Sequence, residues 1–116
     1  MKLFVYGTLR RGQSAHALLK GAPLLGEART EPRFTLVDMG GYPALIEGGD
    51  TAVLGEIYEI SADLLTELDR YEEAPQLYRR VAIRIAGHDA VTYTLPAQHA
   101  QGRPPVPTGD WSPRPA

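Results

Sequence analysis

Cysteine is absent from this 116-residue sequence. The chain can therefore form no disulfide, use no thiolate nucleophile and hold no cysteine-based zinc or iron–sulfur site. The three histidines, His16, His88 and His99, are scattered, and no two of them stand four residues apart, as metal ligands on one helix face do. We therefore expect no metal site in this protein.

The sequence also lacks an excess of basic residues and any long apolar run. Its formal net charge is -2, which argues against a general nucleic-acid-binding role. No apolar stretch approaches the roughly 20 residues that cross a bilayer, and the N-terminus lacks the apolar core and cleavage site of a signal peptide. We expect a soluble cytoplasmic protein with no nucleic-acid or membrane partner. The absence of cysteine is compatible with that reducing compartment.

The length of the chain predicts one domain, because two cores of half this size would each be too small to be stable. We place the domain at residues 1–111 and expect residues 112–116 to form a flexible, proline-containing tail. Five of the ten prolines lie within residues 104–116, which excludes a long helix or a central strand there. Val106, between two prolines, leaves open a short polyproline docking segment. Nothing in the sequence indicates the oligomeric state.

Apolar and β-branched runs separated by turn residues predict a strand-rich fold. We predict strands at residues 2–6, 24–30, 33–38, 43–47, 52–60, 77–85 and 90–95, with a turn at 87–89 between the last two. A short helix is predicted after Ser14, and a longer one after Ser61 that ends near Glu72 or Glu73, since serine is a typical N-cap residue. Short turns between the later strands favour an α+β fold over a doubly wound parallel sheet. The expected form is a small mixed or antiparallel β-barrel with flanking short helices.

The loop from Tyr6 to Gln13, with the sequence YGTLRRGQ, is the first candidate site. It follows a strand and precedes a helix, so several of its backbone N–H groups are expected to lack sheet partners. Such groups can cradle a carboxylate, a phosphate or a developing oxyanion. The same residues are also compatible with a plain strand-to-helix turn whose arginines are solvated. No lysine follows Gly12, so the loop does not fit the P-loop pattern.

An acidic helix end, LDRYEEAP at residues 68–75, is the second candidate site. Asp69, Glu72 and Glu73 are neighbours at the negative end of the helix dipole, so their charges disfavour one another. Such a local conflict is typical of functional sites, although a solvated acidic end balanced by nearby arginines explains it too. Tyr78, just beyond, is either a pocket hydroxyl or a strand residue packed on the core.

In their order along the chain, these segments resemble the gamma-glutamylcyclotransferase-like family, and in particular its gamma-glutamylamine cyclotransferase branch. The similar motifs are YGTL at residues 6–9, VLGEIY at 53–58, LDRYE at 68–72, YRR at 78–80 and GDW at 109–111. The resemblance therefore covers most of the chain. It implies a small mixed barrel with flanking helices, in agreement with the strand-rich prediction.

The reaction of this family explains why no cysteine, serine nucleophile or metal is needed. Its members cut a small-molecule γ-glutamyl amide by attack of the glutamyl α-amine on the γ-carbonyl, and release 5-oxoproline and an amine. Because the substrate carries its own nucleophile, the resemblance implies an enzyme without cofactors. One carboxyl group can take a proton from the attacking amine and return it to the leaving amine. The resemblance assigns this catalytic role to Glu72.

The resemblance also implies the residues that bind the substrate. The backbone of the YGTL loop would bind the α-carboxylate or the developing oxyanion, and one tyrosine would lie near the pocket; the residues are Tyr6, Gly7, Thr8, Leu9 and Tyr78. Many members carry glycine directly after the catalytic glutamate, where a helix ends with positive φ, but this chain carries Glu73. Either the backbone differs there, or Glu73 tolerates mild strain. The alternative function is a non-catalytic binding module of the same fold that holds a small carboxylated ligand.

Overall fold

A computed structural model describes residues 1–74 and 76–111 of the chain. Within them the strands are β1 (Lys2–Val5), β2 (Leu24–Arg29), β3 (Phe34–Asp38), β4 (Pro43–Glu47), β5 (Leu54–Glu59), β6 (Arg79–Ile85) and β7 (His88–Thr94). The α-helix α1 spans Ala62–Tyr71, and two 3₁₀ helices span His16–Leu19 and Ala97–Ala100. This mixture of strands and helix confirms the predicted α+β class. The predicted tail at residues 112–116 lies outside the described residues.

Strand β1 lies at the centre of a five-stranded sheet with the order β2-β5-β1-β7-β6. It pairs antiparallel with β5 and parallel with β7, so the sheet is mixed. Its apolar residues Leu3, Phe4 and Val5 are all buried, as a β-branched and aromatic run in a central strand predicts. The strand ends at Val5, and the candidate loop therefore starts from the middle of the sheet.

The predicted barrel is not confirmed. Strands β2 and β6 form opposite edges of the five-stranded sheet, and no pairing among the described residues joins them. Strands β3 and β4 instead form a separate antiparallel hairpin, which meets the sheet where the Leu95 N–H donates to the Leu45 carbonyl oxygen at 2.9 Å. The other edge of β3 is taken by the C-terminal segment, since the Val106 N–H donates to the Leu36 carbonyl oxygen at 2.8 Å. The hairpin therefore covers the sheet without closing it.

Helix α1 begins where the sequence predicts. Ser61 is its N-cap, and the Ser61 hydroxyl oxygen accepts a hydrogen bond from the Leu64 N–H at 3.1 Å, an interaction that stabilises a helix by about 1 kcal/mol. The helix buries Leu64, Leu65 and Leu68, so one face packs on the core. No helix among the described residues has the length and apolar character needed to cross a membrane.

The short helix predicted after Ser14 is present, but Ser14 is not its cap. The structure has a 3₁₀ helix over His16–Leu19 with Ala15 at the N-cap and no side-chain capping bond. The Ala15 N–H donates instead to the Thr8 carbonyl oxygen at 2.9 Å, so the preceding loop fixes this turn. Lys20 then takes a left-handed conformation with φ of 52°, which ends the helix before a second turn forms.

The turn between β6 and β7 is shorter than predicted. Ala86 and Gly87 both have positive φ, 49° and 78°, as the two central residues of a tight hairpin turn require. Strand β7 consequently begins at His88 rather than at Ala90. Alanine is uncommon in this conformation, so the sequence carries little signal for a two-residue turn here.

The GDW segment at residues 109–111 docks on the domain. The Leu54 N–H donates to the Gly109 carbonyl oxygen at 2.8 Å, and Trp111 is buried. Gly109 has φ of 73°, and a Cβ at this position would lie 2.2 Å from the Ala52 carbonyl oxygen, so only glycine fits. Val106, considered for a polyproline docking segment, is used in pairing with β3 inside the chain.

Candidate active site

A cavity of about 410 Å³ opens where three segments meet: the loop after β1, the C-terminal end of α1 and the turn before β4. All six residues to which the sequence analysis assigned a role line it: Tyr6, Gly7, Thr8, Leu9, Glu72 and Tyr78. The structure thus places the two candidate segments, which are far apart in sequence, around one space. A volume of this size is in the range of small-molecule sites.

In the loop after β1, backbone carbonyl groups accept the hydrogen bonds that hold the loop in shape. The Gly7 carbonyl oxygen accepts the Arg10 N–H at 3.0 Å, and the Thr8 carbonyl oxygen accepts the Ala15 N–H at 2.9 Å. The N–H groups of Gly7, Thr8 and Leu9 donate no hydrogen bond to any residue that the structure describes. Three successive donors beside a cavity are typical of an anion-binding loop.

Gly7 is required at its position by a close neighbour. A Cβ at Gly7 would lie 2.6 Å from Pro43 Cγ, a contact that real side chains do not make. Pro43 is the first residue of β4 and also lines the cavity. The hairpin therefore packs directly against the loop, and a larger residue at position 7 would displace either the loop or the hairpin.

Glu72 lies at the C-terminal end of α1 and lines the same cavity as the loop. It is the C-cap residue, and its N–H donates to the Leu68 carbonyl oxygen at 2.8 Å. Its side chain is partly buried and forms no ion pair within the described part of the chain. Burial raises the pKa of the Glu72 carboxyl group from 4.5 to about 7. Near neutral pH both its protonated and its ionised form are therefore populated.

Glu73 adopts the left-handed conformation that glycine usually takes at the end of a helix. Its φ is 55°, its N–H donates to the Arg70 carbonyl oxygen at 3.2 Å, and the Ala74 N–H donates to the Asp69 carbonyl oxygen at 2.8 Å. This pair of bonds is the Schellman motif that ends helices. The backbone keeps the motif, and the strain of a left-handed non-glycine residue, about 1 kcal/mol, falls on Glu73. Its side chain is exposed at the mouth of the cavity.

Tyrosine dominates the wall of the cavity. Five of the six tyrosines of the sequence line it; they are Tyr6, Tyr42, Tyr71, Tyr78 and Tyr93. Burial raises the pKa of Tyr78, and the charge of Glu72 adds to the effect, so the phenol stays protonated and lies within electrostatic reach of that carboxyl group. Tyr42 and Tyr71 are about half exposed, at 46% and 49%, and form the rim.

The side chain of Tyr6 fixes the base of the cavity. Its hydroxyl donates to the Tyr93 carbonyl oxygen at 2.7 Å and accepts the Leu45 N–H at 3.3 Å. Burial raises its pKa well above the ordinary value, so the hydroxyl remains a donor. Tyr6 therefore joins the central strand to β7 and to the hairpin, and its side chain is already committed to these bonds.

Asp69 has hydrogen-bond partners of its own, which Glu72 does not share. One carboxylate oxygen accepts the Tyr93 hydroxyl at 2.6 Å, and the other accepts the Arg80 guanidinium at 2.6 Å. Arg80 and Tyr93 are directly opposite each other in the β6–β7 pair. Asp69 is thus paired with Arg80 and Tyr93, whereas Glu72 has no ion-pair partner among the described residues.

Sequence reasoning missed Tyr42, Pro43, Tyr71 and Tyr93 as cavity residues. Gly40 and Gly41, which precede Tyr42 in the sequence, favour a turn, but they do not indicate where Tyr42 lies in the fold. Tyr93 could have been found only from the pairing of β6 with β7, which sets it opposite Arg80. Among the described residues no group of three or more histidine, aspartate or glutamate side chains is arranged to hold a metal ion.

Comparison with known proteins places the chain. A family model described as gamma-glutamyl cyclotransferase, AIG2-like, matches residues 3–113. A Vibrio cholerae protein provisionally named a gamma-glutamylcyclotransferase is 39% identical over 112 residues, which cover 97% of this chain and 96% of that protein. The gamma-glutamylaminecyclotransferase of Mus musculus is 37% identical over 92 residues. That match covers 72% of this chain but only 62% of the mouse enzyme, so this chain spans less than two thirds of it.

Solved structures share the fold. The crystal structure of an AIG2-like protein from Mus musculus has a TM-score of 0.83 and 30% identity, and the match covers 96% of this chain and 87% of that one. The solution structure of the protein ytfP from Escherichia coli has a TM-score of 0.76 and 32% identity, with 96% of each chain covered. The family match over nearly the whole length and the shared fold show that this chain belongs to the gamma-glutamyl cyclotransferase, AIG2-like family.

Proposed function

We propose that the chain is a gamma-glutamyl cyclotransferase that cleaves a small γ-glutamyl amide into 5-oxoproline and a free amine. The observation that carries the proposal is the pairing of two features in one cavity. Glu72 has a carboxyl group with a pKa of about 7, and the loop after β1, which lines the same cavity, offers backbone N–H donors that no described residue uses. The first suits proton transfer near neutral pH, and the second suits an anion.

The reaction needs one proton to move between two nitrogen atoms. The substrate α-amine attacks the γ-carbonyl carbon, a new C–N bond closes the five-membered ring, and the bond to the leaving nitrogen breaks. In the proposed mechanism the ionised Glu72 takes the proton from the attacking amine and returns it to the leaving nitrogen, so that the enzyme ends unchanged. A carboxyl group with a pKa near the working pH performs both steps most efficiently.

The loop and Tyr78 would hold the substrate for this attack. The N–H groups of Gly7, Thr8 and Leu9 would bind the α-carboxylate or stabilise the oxyanion that forms on the γ-carbonyl oxygen. The Tyr78 hydroxyl, which forms no hydrogen bond within the described residues, would donate to the glutamyl part. Because the nucleophile belongs to the substrate, the main gain comes from orienting it, and the reaction requires no cofactor.

The leaving amine would extend towards the rim of the cavity, where Tyr42 and Tyr71 are exposed. The reaction proposed here acts on small metabolites, and we continue to expect a cytoplasmic location on the composition alone.

A non-catalytic binding module is the alternative, and Glu72 weighs against it. A site built only to hold a carboxylated ligand gains nothing from a second, partly buried carboxyl group, because the two like charges repel. Relieved of catalysis, the position would be better filled by a neutral residue. The raised pKa of Glu72 suits a group whose proton moves near neutral pH.

The experiment is incubation of the purified protein with a panel of γ-glutamyl amides that differ only in the leaving amine. Release of 5-oxoproline is followed by mass spectrometry, and binding of the same compounds by calorimetry. The proposal expects 5-oxoproline from at least one amide in amounts well above a blank without protein. Binding of the panel without any release of 5-oxoproline would favour the module instead.

A further inference from the structure

A buried carboxylate lies behind the candidate active site, outside the cavity. Glu56, on β5, is only 6% exposed, and it does not line the cavity. In the pairing of β1 with β5, Glu56 is directly opposite Val5, the last residue of β1 before the loop. No ion pair to Glu56 occurs within residues 1–74 and 76–111. A buried carboxylate without a cation is unfavourable, so its hydrogen bonds need an explanation.

Those hydrogen bonds lead to the loop. One carboxylate oxygen of Glu56 accepts the Arg11 backbone N–H at 2.7 Å and the Tyr58 hydroxyl at 2.9 Å. Tyr58 is itself buried, and burial together with Glu56 raises its pKa to about 12. The Tyr58 hydroxyl therefore stays protonated and donates to the carboxylate, which fixes the position of the shared oxygen atom.

Glu56 acts together with other anchors on the same stretch of chain. The Leu9 carbonyl oxygen contacts the His16 ring at Nδ1 (2.9 Å), and that ring lies 5.7 Å from the Tyr58 ring, centre to centre. The Arg10 guanidinium donates to the Trp111 carbonyl oxygen at 3.0 Å. Positions 9, 10 and 11 are thus each held by a different segment, while the N–H groups of residues 7–9 stay without partners in the described chain.

We propose that Glu56 is a positioning residue that holds the Arg11 N–H and so keeps the loop open for its anionic ligand. It works through the reach of its acceptor oxygen rather than through its charge, because the atoms it contacts are a backbone N–H and a neutral hydroxyl. It contacts neither substrate nor the reacting atoms. The kinetic consequences of this inference rest on the proposed cyclotransferase function.

Three replacements of Glu56 separate the effect of the position of its acceptor oxygen from the effect of its charge. Glu56→Gln keeps the length and an acceptor oxygen and removes the charge, and its kcat/KM is expected within about threefold of the parent. Glu56→Asp keeps the charge but withdraws the oxygen by one methylene, and Glu56→Met keeps the length but has no oxygen. Displacing a loop by about 1 Å costs on the order of 10²-fold, so we expect losses of about 10-fold for the aspartate and about 10²-fold for the methionine.

Thr30→Val is the matched control for a loss of stability alone. Thr30 is buried, accepts the Val53 N–H at 2.9 Å and lies away from the cavity. Its replacement should lower Tm and leave kcat/KM within about threefold of the parent at temperatures well below Tm. The pH dependence of kcat/KM should keep the same midpoint in every variant, because none of them alters Glu72.

Parental kcat/KM in Glu56→Asp would overturn the inference. So would a Glu56→Gln variant as slow as Glu56→Met, or a loss of rate that follows Tm and appears equally in Thr30→Val. If Glu56→Met does not fold, the comparison of the aspartate and glutamine variants decides alone.

Amide hydrogen exchange gives a readout that needs no activity. By NMR, the Arg11 amide should exchange about 10-fold faster in Glu56→Asp than in the parent, with no such change in Glu56→Gln or in the amides of α1. Equal exchange in parent and aspartate variant would show that Glu56 does not hold the loop. A parent protein that turns over no γ-glutamyl amide would defeat the proposed function, yet this measurement would still decide the role of Glu56.

Discussion

Replacing Glu72 by glutamine should make the protein more stable at neutral and alkaline pH. Burial raises the pKa of this carboxyl group from 4.5 in the unfolded chain to about 7 in the folded one. Between these values the folded state binds more protons than the unfolded state, so the free energy of unfolding falls as the pH rises. Above pH 7 the folded protein carries the full penalty of an ionised, partly buried carboxylate.

The size of the penalty follows from the two pKa values. At about 1.4 kcal/mol for each pKa unit, the rise corresponds to about 3 kcal/mol, and the partial exposure of the side chain lowers this to about 2 kcal/mol. Glutamine has the same shape and no charge. The variant should therefore match the parent at pH 4.5, where Glu72 is largely protonated in the folded state, and exceed it by about 2 kcal/mol at pH 8.

Urea denaturation of both proteins at pH 4.5, 6, 7 and 8 measures this difference. Other groups titrate equally in the two proteins and cancel. Glu73→Gln is the control, because this neighbouring side chain is exposed and its replacement should give a small difference that does not grow with pH. A stability difference between Glu72→Gln and the parent that is the same at pH 4.5 and pH 8 would refute the burial of Glu72.

The remaining predictions concern rate and backbone. In the parent protein kcat/KM should rise as the pH passes through about 7, where Glu72 becomes ionised; a profile flat from pH 5.5 to 8.5 would exclude Glu72 as the base. Gly7→Ala should lower kcat/KM by about 10²-fold, because the added Cβ would lie 2.6 Å from Pro43 Cγ. Steady-state kinetics at a temperature well below the Tm of the variant tests this, and a parental rate would contradict the close contact. Glu73→Gly should raise Tm, since it relieves about 1 kcal/mol of backbone strain, less a smaller loss from the freer unfolded chain; calorimetry showing a lower Tm would contradict the strain.

The sequence predicts best where one residue decides a local structure. Ser61 caps α1 because its hydroxyl reaches a free N–H three residues on, and this depends on nothing distant. The cap predicted at Ser14 failed for the opposite reason. There the donor at Ala15 is taken by the Thr8 carbonyl oxygen, a partner that only the folded loop supplies.

The candidate site shows the same division. The loop and the acidic helix end are visible in the sequence, but periodicity does not separate Glu72 from Glu73, and the family pattern was needed to choose between them. The roles of Tyr93 and Glu56 became visible only with the folded chain, since each contacts a residue far away in the sequence. The barrel was not confirmed because the C-terminal segment pairs with β3, which no local pattern indicates.

The central claim is that Glu72 transfers the proton in a cyclotransferase reaction, and the rate of 5-oxoproline release by Glu72→Gln tests it most directly. The substrate is the best γ-glutamyl amide of the panel, and Glu73→Gln is assayed beside it. Loss of a general acid–base group lowers a rate by about 10²–10⁴-fold, so we predict a loss of that size for Glu72→Gln, with binding of the amide retained by calorimetry. Glu73→Gln should stay within about threefold of the parent. Release of 5-oxoproline by Glu72→Gln at the parental rate would contradict the claim.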